Sequence, residues 1–182
     1  MSHLTGKRIA IIADDYVEEP ELLMPRDQLR EHGAEVKVYS PSGEAIQAVR
    51  SDVNPTQKVE VDGSLGDLDV DAIDALVVPG GSVNADHLRM DEHAQRILAE
   101  VDDAGKPLAI VCHGPWLLIS AGRAQGRRVT SWPSLADDLR NAGAEWTDEE
   151  VVVDGHLITS RKPDDLPAFV DAISTALQGA AV

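Results

Sequence analysis

The run Pro107-Leu-Ala-Ile-Val-Cys-His-Gly-Pro115 decides the fold. Leu108 to Val111 is apolar without a helical period, as a strand covered on both faces of a parallel sheet must be. Cys112-His113-Gly114-Pro115 follows with no spacer before a helix over Trp116 to Ala121. A strand that turns straight into a helix puts its turn residue at the helix N-terminus, which is the geometry of a nucleophile elbow. Outward from this point the alternation repeats. Arg8 to Ala13 reads as a first buried strand, and Glu21 to His32 as a helix with Pro20 at its start, Leu22, Leu23 and Leu29 near one face and Gly33 as its cap. Glu35 to Tyr39 is the second strand. Ala75 to Val78 is another, ending in Pro79-Gly80-Gly81, where the backbone is freest. Helices are expected over Asp91 to Ala104, over Ser134 to Ala142 with Ser134 as N-cap, and over Asp164 to Leu177. Ala45 to Val61 fits short strands or a hairpin excursion, and Val151 to Thr159 a hairpin around Asp154-Gly155. No repeat or linker interrupts this order. It predicts a single α/β domain spanning residues 1–182, core about 7–178, on one doubly wound, mostly parallel sheet.

Composition narrows the function classes. Sixteen Lys and Arg against thirty-two Asp and Glu leave a formal charge of −16 with no basic stripe, so nucleic acid is not expected as a partner. No window is long and apolar enough for a membrane span, and Met1 to Lys7 holds no signal core, so the expectation is a cytoplasmic chain with no membrane partner. Cys112 is the sole cysteine, which excludes an intramolecular disulfide and any multi-cysteine metal site.

In open α/β sheets, ligands bind beyond the carboxyl ends of the strands, and three such ends carry unusual residues: Asp14 to Glu19, Gly80-Gly81 and Cys112-His113. These are expected to converge. At the elbow the helix dipole favours a Cys112 thiolate, the His113 N–H can receive an oxyanion, and Gly80 or Gly81 can donate the second N–H. The His113 ring is a general base if it reaches the thiol; otherwise the residue is a backbone donor only. One of Glu18 and Glu19 is expected beside the sulfur, where burial pushes a carboxyl towards its protonated form and lets it donate a hydrogen bond while helping to hold the thiol ionised. Asp86-His87 and Asp91-Glu92-His93 match no metal template, and Asp67 to Asp74 lacks the glycine and terminal glutamate of a calcium loop. Neither dinucleotide nor P-loop signature occurs. No metal and no cofactor are expected.

The chain resembles the ThiJ/PfpI superfamily, related to class I glutamine amidotransferases, and within it the PfpI-like branch of intracellular proteases and general stress proteins. The resemblance rests on residues 77–81 (VVPGG), 109–115 (AIVCHGP), 118–122 (LISAG), 130–133 (TSWP), 141–146 (NAGAEW) and 151–155 (VVVDG), in the family's order. It implies a flavodoxin-like three-layer sandwich in which Cys112 is the nucleophile and His113 its partner. Glu18 takes the family's acidic position, because Glu18-Glu19-Pro20-Glu21-Leu22 followed by Pro25 is similar to the family's segment. A family glutamate that crosses a subunit interface towards the histidine is matched by Asp86, one methylene shorter, and Trp116 and Trp132 match aromatic positions near the substrate pocket. A homodimer is the implied minimum assembly, with rings of dimers among family members.

Two functional classes follow. One is an enzyme, either a cysteine hydrolase or a glyoxalase or deglycase, acting on small carbonyl or amide substrates; a peptidase needs a longer cleft than a compact domain offers. The other is a redox stress protein whose low-pKa thiolate is oxidised to sulfenic or sulfinic acid, with Glu18 bonding the oxidised group. A chaperone-like role draws support only from the −16 charge.

Overall fold

A computed structural model describes residues 3–179. Its centre is a seven-stranded sheet in the order β11-β12-β8-β7-β1-β3-β6. In chain order, β1 (Arg8–Ile12) leads through β2 (Val17–Glu18) into α1 (Glu19–Glu31) and β3 (Glu35–Ser40). A hairpin of β4 (Ile46–Arg50) and β5 (Asn54–Val59) follows, then β6 (Gly63–Ser64), β7 (Ala75–Val78), α2 (Ser82–Met90), α3 (Glu92–Asp103) and β8 (Leu108–Val111). The chain closes through α4 (Pro115–Ser120), β9 (Arg128–Val129), α5 (Ala136–Asn141), β10 (Glu145–Trp146), β11 (Val151–Asp154), β12 (Leu157–Ser160) and α6 (Leu166–Gly179). Every pairing in the central sheet is parallel except β11 with β12. The architecture is the expected three-layer α/β sandwich.

The four central strands bury nearly all their side chains because helices cover both faces. Leu22 and Leu29 of α1 and Phe169 and Ile173 of α6 pack with Ile9, Ile11 and Val77 on one side. On the other, Leu88 of α2, Ile97 and Leu98 of α3, Leu117 of α4 and Leu139 of α5 pack with Ala10, Leu76 and Ile110. The Ala45–Val61 excursion is the β4–β5 hairpin, paired through β4 with the two-residue β2. It brings Ser51 and Asp52 to the same cavity as Cys112 and His113.

Some boundaries differ from the sequence expectation. Helix α1 begins at Glu19 rather than Glu21, since a proline costs nothing in a first turn whose N–H groups have no intrahelical partner. Ser134 caps nothing: a 3-10 turn over Pro133–Leu135 feeds α5, which starts without a side-chain cap. Helix α2, which carries Asp86 and His87, was not anticipated as a helix. Its weak apolar period reflects contact through only a few positions, among them Ala85 and Leu88.

At the elbow, α4 lies so close to the sheet that a methyl at Gly114 would meet Ile110 Cγ2 at 2.6 Å and the carbonyl oxygens of Val111 and Val78 at 2.9 and 3.0 Å. Gly114 itself has an ordinary helical φ of −49°. Gly114→Ala is therefore expected to destabilise through overpacking alone, by about 1–3 kcal/mol, read as a lowered urea midpoint with an unchanged m-value.

Candidate active site

Cys112 follows the last residue of β8 and adopts a left-handed φ of 62°, a strained conformation for a non-glycine residue. That kink turns the side chain out of the strand direction and aims it at the space above the sheet. The Cys112 Sγ lies 3.3 Å from His113 Nδ1, so the adjacent imidazole does reach the thiol. Both residues are buried, 6% and 7% exposed. The N–H groups of Gly81 and His113 point at the sulfur and favour its ionised form. Gly81, at φ 91°, sits where a methyl would strike Tyr16 O at 2.6 Å and Glu18 N at 2.8 Å.

The carboxyl beside the thiol belongs to Glu21, and this corrects the expectation for Glu18. Glu21 is fully buried in the first turns of α1, with Oε2 accepting the Gly80 N–H at 2.7 Å and the carboxyl facing Cys112. Its Oε1 is buried and has no partner among the described residues. Gly80 is consequently not free to serve as an oxyanion donor. It serves instead as the floor of the site, because a methyl there would lie 2.5 Å from Glu21 Oε2 and 2.6 Å from Cys112 Cβ.

Glu18 and Glu19 are tied to the hairpin. The Glu18 carboxylate accepts Ser51 N–H at 2.9 Å on one oxygen and Asp52 N–H at 3.1 Å on the other. Glu19 accepts both Arg50 Nε (2.9 Å) and Nη2 (2.7 Å), and hydrogen bonds from Thr56, Arg50 and Gln57 hold its pKa down against its burial. Glu18 still lines the cavity above the sulfur, as part of its wall.

The ionisation of the pair also differs from the expectation of a resting thiolate. Burial pushes the Cys112 thiol well above its ordinary value, and the Glu21 charge adds to that shift. Burial likewise pushes Glu21 up to about 8, against hydrogen bonds from Gly80 and Cys112 that pull it down. Helix α4, at six residues, carries too small a dipole to offset loss of water around the sulfur. Burial thus disfavours the charged form of both groups. Burial also lowers the His113 pKa, with the Asp52 charge opposing, which keeps the imidazole neutral and able to accept a proton.

The cavity encloses about 280 Å³ between Glu18, Ser51, Asp52, Cys112, His113 and Trp132, with Glu21 at its base. The His113 ring stacks on Trp132 (centroids 6.0 Å apart) and meets Trp116 edge-on at 5.3 Å. Trp132 lines the cavity; Trp116 stands behind the histidine, its Nε1 donating to Asp138 at 3.0 Å, and lines no part of it. Asp86 is exposed on α2 and does not line the cavity either. Sequence reasoning passed over Glu21 and Asp52. Glu21 was detectable: Glu21, Pro25 and Leu29 recur at i, i+4 and i+8, the stripe that α1 buries. Asp52 had no local signal, because its place depends on how the hairpin folds over.

A cysteine at a strained strand-to-helix turn, on the carboxyl edge of a doubly wound sheet and flanked by a histidine and a buried glutamate, defines a class of α/β proteins with an elbow thiol. Residues 7–176 match the DJ-1/PfpI family, and the chain belongs to that family. It is similar to a Pyrococcus abyssi protein named a deglycase, 42% identical over 163 residues that cover 90% of this chain and 95% of that one. It is also similar to General stress protein 18 of Bacillus subtilis, 38% identical over 166 residues covering 90% and 94%. The crystal structure of Drosophila melanogaster DJ-1beta superposes with a TM-score of 0.87 at 31% identity, covering 95% of this chain and 91% of that one.

Two outcomes follow from the carboxyls. A Glu21 pKa raised from 4.5 to about 8 stabilises the fold fully below the lower value, and that stabilisation is lost as pH rises through the upper one. Denaturant unfolding between the two values should show wild-type stability falling with pH, and Glu21→Gln should flatten that slope. Glu18→Ala frees the two amides of the hairpin turn, so hydrogen exchange at Ser51 and Asp52 is expected to quicken by about tenfold or more, with core amides unchanged.

Proposed function

We propose that this chain is a cysteine-dependent enzyme of the glyoxalase or deglycase type, acting on small carbonyl compounds with Cys112 as the nucleophile. The observation that carries the reading is the strained Cys112 Sγ within 3.3 Å of a neutral His113, over a buried Glu21, in a cavity of about 280 Å³. That volume suits a small aldehyde or ketone and is too small for an extended peptide. Relatives named as deglycases support the same direction.

The resting site suits an electrophile that brings its own driving force. As Cys112 attacks the carbonyl carbon, its proton passes to His113 Nδ1, the C–S bond forms and the C=O π pair moves to oxygen. The N–H groups of Gly81 and His113 stabilise the charge that develops as the proton leaves. Protonated Glu21, with Oε1 unpaired, supplies the hydrogen bond and then the proton that the alkoxide needs. The resulting hemithioacetal keeps every atom of thiol and carbonyl compound. Net conversion of an α-oxo aldehyde to its hydroxy acid consumes one water and requires no external oxidant or reductant.

A redox role draws less support, because its premise of a low-pKa thiolate runs against the burial of Cys112. Homodimerisation belongs to the proposed reading, with Asp86, exposed on α2, as the group offered to a second copy. Methylglyoxal loss and hydroxy acid formation, followed together, provide the test. Cys112→Ser is expected to fall to the no-enzyme rate, and His113→Ala to lose about 100-fold in kcat. Wild-type protein without turnover of any small aldehyde would overturn the reading.

A further inference from the structure

The cavity over Cys112 has charge of one sign only. Burial disfavours charge on Glu21 and on His113, the other acidic groups on its wall are Glu18 and Asp52, and among the described residues no lysine or arginine lines it. Cations flanking the lining residues in sequence face other carboxylates: Arg50 pairs with Glu19 at 2.7 Å, Arg161 with Asp165 at 2.8 Å and Asp148 at 2.9 Å, and Lys162 lies 3.9 Å from Asp164.

Asp52 is placed on that wall at a conformational cost. Ser51 and Asp52 both adopt left-handed φ, 54° and 65°, in the turn between β4 and β5. Three hydrogen bonds hold the turn against the strain. Glu18 accepts both of its N–H groups, and Asp52 Oδ1 accepts Ser82 N–H at the start of α2, 2.7 Å away. Glu18 spends both oxygens on the amides of the turn, whereas Asp52 spends only Oδ1, on the first amide of α2. The left-handed pair, pinned from two elements, sets the Asp52 carboxyl on the cavity wall.

We propose that Asp52 is a specificity-determining residue that selects substrates by charge, admitting neutral and cationic carbonyl compounds to Cys112 and repelling anionic ones such as α-oxo acids and phosphorylated sugars. An entering anion leaves water for a site with no cation to receive it and meets a fixed negative charge, which is discrimination by an unfavourable contact. The substrate side of this statement rests on the enzymatic reading above; the charge selection at the sulfur does not.

Alkylation of Cys112 separates the two. Iodoacetamide and iodoacetate share a leaving group and differ by one charge, and mass spectrometry of the intact protein gives both rates. Relative to a free small-molecule thiol, wild type is expected to disfavour iodoacetate by about a further tenfold, and about 0.5 M salt should reduce that preference, because screening shortens the reach of the charge. Asp52→Asn should recover threefold or more of the iodoacetate rate relative to iodoacetamide, about what loss of one nearby charge permits, and Asp52→Glu should retain the discrimination. A ratio equal to that of the free thiol, or one identical in wild type and folded Asp52→Asn, overturns the proposal. If Asp52→Asn does not fold, the wild-type salt series decides, and a ratio unmoved by salt overturns it. Methylglyoxal and glyoxylate then form the catalytic arm. Turnover of neither, with the alkylation preference intact, defeats the enzymatic reading and leaves the charge selection standing; equal turnover of both defeats the selection alone.

Discussion

The site is organised by a carboxyl kept out of water. Glu21 lies fully buried against the Gly80 N–H and the Cys112 thiol, and its position dictates much of what surrounds it. Gly80 has to lack a side chain because Glu21 and Cys112 already occupy the space a methyl would take. Cys112 has to adopt a left-handed φ, since continuing the extended strand would not turn its side chain towards that carboxyl. The loss of hydration raises the proton affinity of both groups. An ionised Glu21 with one unpaired oxygen would be costly in such surroundings, whereas a protonated one has a hydrogen to offer.

The three acidic residues at the start of α1 show how one short segment serves several purposes. Glu18 precedes the helix and clamps the hairpin turn; Glu19, also buried, pairs with Arg50 on the same hairpin; Glu21 enters the core. Hairpin and elbow, far apart along the chain, are thereby attached to the same helix start. This explains why a two-residue strand such as β2 persists: it pairs with β4 and holds α1 and the hairpin in register.

Much of this was readable in the sequence, and the misses have physical causes. The sheet and the elbow were visible because buried parallel strands are apolar runs, and because Val111-Cys112-His113-Gly114-Pro115 leaves no room for a loop. The choice of Glu18 over Glu19 came from matching segments by similarity and left Glu21 unweighed; by helical phase, a glutamate in line with Pro25 and Leu29 belongs to the buried stripe of α1. The thiolate expectation weighed a helix dipole and left out desolvation, which sequence does not display and which dominates around a six-residue helix. Asp52 was silent for a different reason. Its surroundings are assembled by a hairpin closing over the sheet edge, and local periodicity carries no record of such a contact.

Under the proposed enzymatic reading, a buried thiol and carboxyl change what the site asks of a substrate. With a preformed thiolate, reactivity would be set in advance and any soft oxidant or electrophile of suitable size would compete for it. In that reading the thiol proton moves to His113 as the carbonyl arrives, so a productive partner is one whose oxygen accepts a hydrogen bond from Glu21 while its carbon faces the sulfur. Burial slows the sulfur towards stray oxidants and alkylating agents, and the hydrogen-bond pattern favours a polarised C=O. On the selection proposed for Asp52, a carboxylate on the cavity wall narrows the choice again before chemistry begins, and the same hydrogen bonds that tie the hairpin to the starts of α1 and α2 hold it there.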